Sequence, residues 1–195
     1  AQVYFALGRL DDSASLHEEL LAMNRRIHGS RDHSAVASAL CSLGQVRRAQ
    51  GRLDDSASLH EKSLAMDRRI HGSKDHSSVA ASLHSLGQVY LAQGRLGECA
   101  LLHEESLAMV QRIHGSNDHS SVATSLCSLA HAYFALGRLD ACVLPYEESL
   151  AMYQRIHGSK DHSSVASALN GLAQVYFAQG RLDDSASLHE ELLAM

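Results

Sequence analysis

Apolar residues recur along the chain at helical spacing. Between residues 33 and 50, Val36, Leu40, Leu43, Gly44 and Arg47 fall at i, i+4, i+7, i+8 and i+11, one face of an α-helix. This predicts a first helix, A, over about 33–50, closed by Gly51 as a glycine just past the helix end. A second helix, B, carries two stripes: Leu53, Ala57, His60 and Leu64, then Leu59, Ser63, Met66 and Ile70. Two stripes on one helix predict contact on two sides, with helix B held between its own helix A and the next one. Asp54 and Asp55 in its first turn and Arg68 and Arg69 in its last match the helix macrodipole. Gly72 then ends it, and Ser73, Asp75 or His76 is expected to cap the following helix A. No stretch alternates with period two, so the fold class is all-α.

The same two patterns return at a fixed interval. Gly-Arg-Leu begins at Gly8, Gly51, Gly94, Gly137 and Gly180, and Ile-His-Gly-Ser at Ile27, Ile70, Ile113 and Ile156, a spacing of 43 residues. A period in this range predicts stacked repeats. The expected organisation is a single solenoid over 1–195, with a partial repeat at 1–32, full repeats at 33–75, 76–118 and 119–161, and a truncated repeat at 162–195. The pattern opens inside a helix A at Ala1 and closes at Met195, before the Arg-Ile-His-Gly end of the other copies. The chain is therefore expected to be a piece of a longer array. Without polar capping repeats, apolar faces near Tyr4 and Leu192 would be open to end-to-end association. Residues 173–195 repeat 1–23 with one difference, Leu7 against Gln179. Such near-identity points to recent duplication of a module suited to stacking.

The run Leu83-x-x-Leu86-Gly87-x-x-Tyr90-x-x-x-Gly94 resembles helix A of a tetratricopeptide repeat, and Cys99 and Leu107 fit positions of its helix B. The ordinary repeat has 34 residues, so about nine more belong to a longer helix B and the B-to-A loop. Gly-Ser-x-Asp-His-Ser-Ser-Val-Ala, from Gly115 to Ala123, resembles the Gly-x-Asp-His-Pro-x-Val-Ala junction of the kinesin light chain class. The chain departs from that class at the junction proline, which is Ser34, Ser77, Ser120 or Ser163 here. It departs again at the helix B aromatic, which is His17, His60, His103 and His189, with only Tyr146 keeping it. The helix A asparagine survives only as Asn170, against Cys41, His84 and Cys127. The resemblance implies a right-handed α-solenoid of antiparallel helical hairpins.

Composition adds limits. Apolar residues make up 45% of the chain, enough for a core, and with 5% aromatic and no Trp that core is built from Leu, Ala and Val. A formal charge of −5 gives no footprint for nucleic acid or for a membrane surface. The apolar runs fall short of the roughly 20 residues that span a bilayer. Cys41 and Cys127 share one repeat position and Cys99 and Cys142 another, where other copies place Ser, His or Asn. Reduced thiols in a cytoplasmic solenoid explain this better than disulfides. Pro145, the one proline, removes an N–H near the start of a helix B and is expected to cause at most a mild kink.

Three constellations bear on chemistry. His71, Asp75 and His76 bring two imidazoles and a carboxylate to one loop, as do their copies, which suits zinc or nickel; a capping turn that recurs with the repeat explains them better, since a dedicated site would rarely appear at every seam with no cysteine nearby. Asp118-His119-Ser120 holds the residue types of a hydrolase triad, yet sequence neighbours cannot aim at one another as nucleophile, base and orienter must. No catalytic or cofactor site is expected. His60, His103 and their copies fall on the packed stripe of helix B, as satisfied core residues that would charge and loosen the stack at low pH. Arg47-Arg48 is the one local basic departure, too small for a nucleic-acid surface without an aromatic platform.

The resemblance implies that helix A lines the inner face of the solenoid. It selects three columns: Gln2, Gln45, Gln88, His131 and Gln174; Phe5, Arg48, Leu91, Phe134 and Phe177; and Cys41, His84, Cys127 and Asn170. Amides beside apolar and aromatic side chains suit a peptide, whose backbone needs hydrogen bonds and whose side chains need pockets. The expected function is a protein-interaction scaffold that takes a protein or peptide ligand on Gln45, Arg48, His84, Gln88, Leu91, Cys127, His131, Phe134, Asn170, Gln174 and Phe177. The columns lack the Lys/Arg-and-Asn set that clamps a terminal carboxylate in some tetratricopeptide co-chaperones. The alternatives are a self-assembling array joined through its ends and, more remotely, metal sensing at the His-rich loops.

Overall fold

A computed structural model describes residues 1–158 and 162–195. The described residues form ten helices. They are α1 (Gln2–Ala6), α2 (Leu10–His28), α3 (Ser34–Ala49), α4 (Leu53–His71), α5 (Ser77–Ala92), α6 (Leu96–His114), α7 (Ser120–Ala135), α8 (Leu139–His157), α9 (Ser163–Ala178) and α10 (Leu182–Leu193). There is no strand among the described residues, and no helix is long and apolar enough to cross a membrane. The chain packs as two compact units, residues 1–102 and 103–195.

Each A-to-B turn is built the same way. At the end of α3 the Gly51 N–H donates to the Arg48 carbonyl and the Arg52 N–H to the Arg47 carbonyl, both at 2.9 Å. This pair of bonds needs a left-handed residue between them, and Gly51 supplies φ = 75° at no steric cost. At the other junction the capping residue is the histidine. Nδ1 of His33, His76, His119 and His162 accepts the N–H two residues on, at 3.1–3.2 Å. Neither Ser73 nor Asp75 takes that place. The aspartates of the junction serve the next helix B instead: Asp32 receives both Nε and Nη2 of Arg69, and Asp118 those of Arg155, at 2.6–2.8 Å. Asp161, the fourth copy, lies outside the described residues.

In the first unit α4 packs on both α3 and α5, as its two stripes require. The core holds Ala14, Leu21, Val36, Ala39, Leu40, Leu43 and Val46, all below a tenth exposed. Buried serines tie helix B to the carbonyls of helix A: Ser56 donates to Gly44 O and Ser63 to Ala37 O, each at 2.8 Å. In the second unit Ser149 donates to Ala123 O and Ser185 to Ala173 O in the same way. Cys99 and Cys142 stand in this serine column, fully buried, and Cys142 Sγ donates to Leu139 O at 3.0 Å. All four cysteines are free. α8 runs unbroken through Pro145.

The helix B histidine and its tyrosine counterpart lean on different glycines. A Cβ on Gly44, in the same hairpin, would come within 2.7 Å of His60 Nε2. A Cβ on Gly171, in the following hairpin, would come within 2.5 Å of Tyr146 Cε1. Position 130 in the tyrosine hairpin is Ala where its counterpart is Gly44, and position 171 is Gly where the counterparts are Ser42, Ser85 and Ser128. His60 and His17 are buried, but not satisfied: Nδ1 of each has no hydrogen-bond partner among the described residues. Burial, aided by the Arg48 charge, pushes the His60 imidazole down to about 4. Burial also lowers His17. His189, by contrast, is exposed, with Nδ1 2.8 Å from Ser185 O.

Candidate functional site

In the first unit the A helices α3 and α5 lie side by side. On α3 the buried face is Val36, Leu40, Leu43 and Gly44, which leaves Gln45 and Arg48 exposed on the adjoining face. On α5, His84, Gln88 and Leu91 follow at i, i+4 and i+7 and are each half-buried. The His84 imidazole is pushed below the ordinary histidine value, first by burial and then by the Arg48 guanidinium. Cys41 Sγ sits 3.9 Å from Ser85 Oγ, which joins the two helices at this level.

In the second unit α7 and α9 are paired in the same way. Cys127, His131 and Phe134 form one i, i+4, i+7 row on α7, and Asn170, Gln174 and Phe177 the matching row on α9. Cys127 and Phe134 pack partly against the core around Tyr146, and burial raises the Cys127 thiol. His131, Asn170 and Gln174 are exposed, and Phe177 is 66% exposed. The amides of Gln45, Gln88, Asn170 and Gln174 make no hydrogen bond to another described residue, so their donors and acceptors are open.

Two constellations from the sequence have internal duties. The junction rings stack face to face as His28–His33, His71–His76, His114–His119 and His157–His162, with centroids 3.4–3.5 Å apart. Ring nitrogens point outward in the ring plane, so two parallel rings at this distance cannot converge on one ion, and one nitrogen of each second ring already caps a helix. No group of three or more His, Cys, Asp or Glu side chains among the described residues could hold a metal ion. In the Asp-His-Ser string, Asp118 pairs with Arg155 while His119 caps α7, with Nδ1 2.8 Å from Ser121 Oγ. Arg47, half of the basic pair, bonds Glu18 and Gln50. It does the work of the tyrosines in its column, since Tyr90, Tyr133 and Tyr176 each donate to Glu61, Glu104 or Glu147 at 2.8 Å.

Cavities open on both units among the described residues. A wide one of about 780 Å³ lies at the A-to-B turns of the second unit, lined by Arg138, Asp140, Gln179 and Arg181. Its polar groups face one another: Gln179 Nε2 donates to Asp140 at 3.0 Å, and Arg181 stacks on Tyr176 at 3.7 Å and pairs with Asp184. Another, of about 410 Å³, lies in the first unit among α3, α4 and α5. Serines line it, and Asp67, 5% exposed, is its one charged group. Asp67 lies where the first stripe of helix B continues past Leu64, at i+14 from Leu53, and the periodic reading passed over it because an acid there ends the apolar run. A signal was there, since the column Asn24, Asp67, Val110 and Tyr153 varies more than its neighbours.

The comparisons with known proteins agree with this architecture. The tetratricopeptide repeat family matches residues 1–69, 35–112, 78–155 and 121–195. No curated protein matches the sequence. Among solved structures, the nearly identical TPR-like repeats of a Podosopora anserina protein of kinesin light chain kind superpose with a TM-score of 0.81 at 26% identity, over 99% of this chain and 90% of that one. A single-substitution form of the same repeats gives 0.83 at 26% identity, over 99% and 89%. BtubC from P. vanneervenii shares the fold, with a TM-score of 0.80 at 22% identity over 95% of this chain and 72% of its own. With repeats of kinesin light chain type along its whole length, the chain belongs to the tetratricopeptide repeat family.

Proposed function

We propose that the chain is a protein-interaction scaffold that binds an extended peptide or partner segment along the exposed faces of its A helices, and that it does no chemistry of its own. The observations that carry this reading are the open amides of Gln45 and Gln88 near Leu91 in the first unit, and those of Asn170 and Gln174 beside the 66% exposed ring of Phe177 in the second. An exposed aromatic next to unpaired amides offers a side-chain contact and backbone hydrogen bonds together, the two needs of an extended peptide. His131 and Phe134 flank it on α7, and Arg48, His84 and Cys127 extend the two faces. One protein of the same fold, a Rap protein at 10% identity, is complexed with competence and sporulation factor. This supports binding as a use of the fold and names no ligand here. The four free thiols suit a reducing compartment, and the scaffold is read as cytoplasmic.

Selection of displayed random peptides on the immobilised protein tests the reading. Peptides should be enriched that bind the wild type and lose affinity when Phe177 and Gln174 are changed to Ala, with helix content unchanged. Peptides that bind both proteins equally would move the interaction off these faces. No enrichment on either protein would end the proposal.

A further inference from the structure

Asp67 is more than nine-tenths buried, yet its carboxylate has little to hold it. Oδ2 accepts one hydrogen bond, from Ser82 Oγ at 2.7 Å, and Asp67 forms no ion pair with a described residue. Ser63 is beside it, but its hydroxyl donates to Ala37 O and lies 3.5 Å from Ser82 Oγ. A carboxylate offers about four acceptor sites, and a buried charge is normally paired. Oδ1 has no hydrogen-bond partner among the described residues and is not sealed in the core, so it keeps access to the cavity.

The repeats show what this position does when it is only structural. Asn24 turns its amide onto the Ala35 carbonyl at 3.2 Å. Tyr153 is buried and shares a hydrogen bond with Thr124 Oγ1 at 2.8 Å, so the hydroxyl reaches the wall of its own A helix. Each of these side chains is answered by a neighbouring A helix. Asp67 instead lines an open space of about 410 Å³, walled by Ala35, Ser38 and Cys41 of α3 and by Ser78 and Ala81 of α5. Its charge reaches the mouth of the cavity, where it adds to burial in holding the Cys41 thiol high. The alanines and the thiol suit a methylene stem, and the carboxylate and serine hydroxyls suit a cationic head.

We propose that this cavity is a subsite for the cationic side chain, arginine or lysine, of a peptide bound across α3 and α5, with Asp67 as its counter-charge. The proposal rests on the peptide reading above and adds its chemical preference. The net charge of −5 favours encounter with a basic segment. The ligand's side chain enters beside Cys41, and its backbone then runs past His84 and Gln88.

The test has two arms, each run on the wild type, on Asp67→Asn and on Asp67→Tyr. Asparagine is isosteric and can still accept from Ser82, while tyrosine fills the cavity as Tyr153 does; circular dichroism checks that both fold. In the first arm, displayed peptides are selected on each protein. The wild type should enrich a basic residue at one fixed position, and both variants should bind those peptides roughly 30-fold or more weakly. Peptides enriched without a basic preference, or bound equally by Asp67→Asn, overturn the subsite and leave the peptide reading standing. In the second arm, N-acetyl-arginine methylamide is titrated against each protein, and the amide resonances of Ser38 and Ser78 are followed. Shifts in the wild type that both variants lose support the subsite even if no peptide is enriched, in which case only the peptide reading falls. No shift in the wild type together with no basic preference overturns the subsite.

Discussion

The contact between Tyr146 and Gly171 gives the sharpest test of how these hairpins interlock. A Cβ at position 171 would stand 2.5, 2.6 and 2.8 Å from Cε1, Cζ and Oη of the ring, well inside contact distance. The ring cannot step aside, because it is 4% exposed and packed among Ala130, Cys142, Leu172 and Val175. Gly171→Ser should therefore destabilise by the ~1–3 kcal/mol of an overpacked core. Better helix propensity at the same site returns only about 0.3–0.5 kcal/mol. Serine is nevertheless the residue at positions 42, 85 and 128, where the preceding helix B carries histidine. In the first unit that histidine leans the other way, onto Gly44. The triple change Ala130→Gly, Tyr146→His and Gly171→Ser rebuilds that arrangement in the second unit. Taken singly, Ala130→Gly costs about 1 kcal/mol of helix propensity and Tyr146→His leaves a void worth roughly 1–3 kcal/mol. The triple variant should lose at least ~1 kcal/mol less than the sum of the three. Repeat arrays need not unfold in one step, so the readout is hydrogen exchange of the α8 and α9 amides. A triple variant whose loss equals the sum would refute the idea that ring size and glycine position are matched across the hairpins.

Three further outcomes come from the same packing. His60 sits near 4 when folded against about 6.5 unfolded, so the unfolded chain binds the extra proton and stability is lost as pH falls from about 6.5 toward 4. From pH 7.5 to 5.5 this costs ~1.3 kcal/mol at His60 alone, and exchange in α3 and α4 should show a steeper pH dependence in the wild type than in His60→Gln; equal slopes would refute it. Arg47→Tyr should keep its bond to Glu18, as the other tyrosines of the column do, and leave the melting temperature within a few degrees of the wild type; a large fall would mean that the guanidinium does something the phenol cannot. Cys99, fully buried with its thiol pushed up to about 11, and Cys142, fully buried and also raised, should resist a thiol reagent at pH 8 until the protein unfolds, as timed labelling with mass spectrometry would show.

How much of this was legible in the sequence depended on what sets each feature. Periodicity is a property of single helices, so helix A over 33–50 was found as Ser34–Ala49, and the two stripes of helix B foretold its two neighbours. Turn chemistry is local as well, and Gly51 showed itself by the φ it must adopt. The capping choice was harder, because Ser73, Asp75 and His76 are all competent and only the fold decides. Stacking on His71 fixes the His76 ring with Nδ1 toward the helix, which frees the aspartate column for arginine. Arg47 looked like a basic departure because its partner, Glu18, lies 29 residues away in the preceding hairpin.

Asp67 was missed for the opposite reason. An amphipathic pattern is followed along its apolar members, and a lone acid at the next position of a stripe reads as the stripe's end rather than as a buried charge. Position 67 continues the buried stripe of Leu53, Ala57, His60 and Leu64, and α5 packs against α4, so the acid there ends 5% exposed. The repeat itself held the correction. Among four copies of one position, a residue that packs against a neighbouring A helix can be an amide or a phenol, as Asn24 and Tyr153 show. The carboxylate makes no such hydrogen bond to its own α3 and, among the described residues, bonds only Ser82 of the next hairpin. Within a family of near-identical units, function is therefore best sought where one copy breaks the packing logic of the others, and in the first unit that place is the cavity beside Cys41.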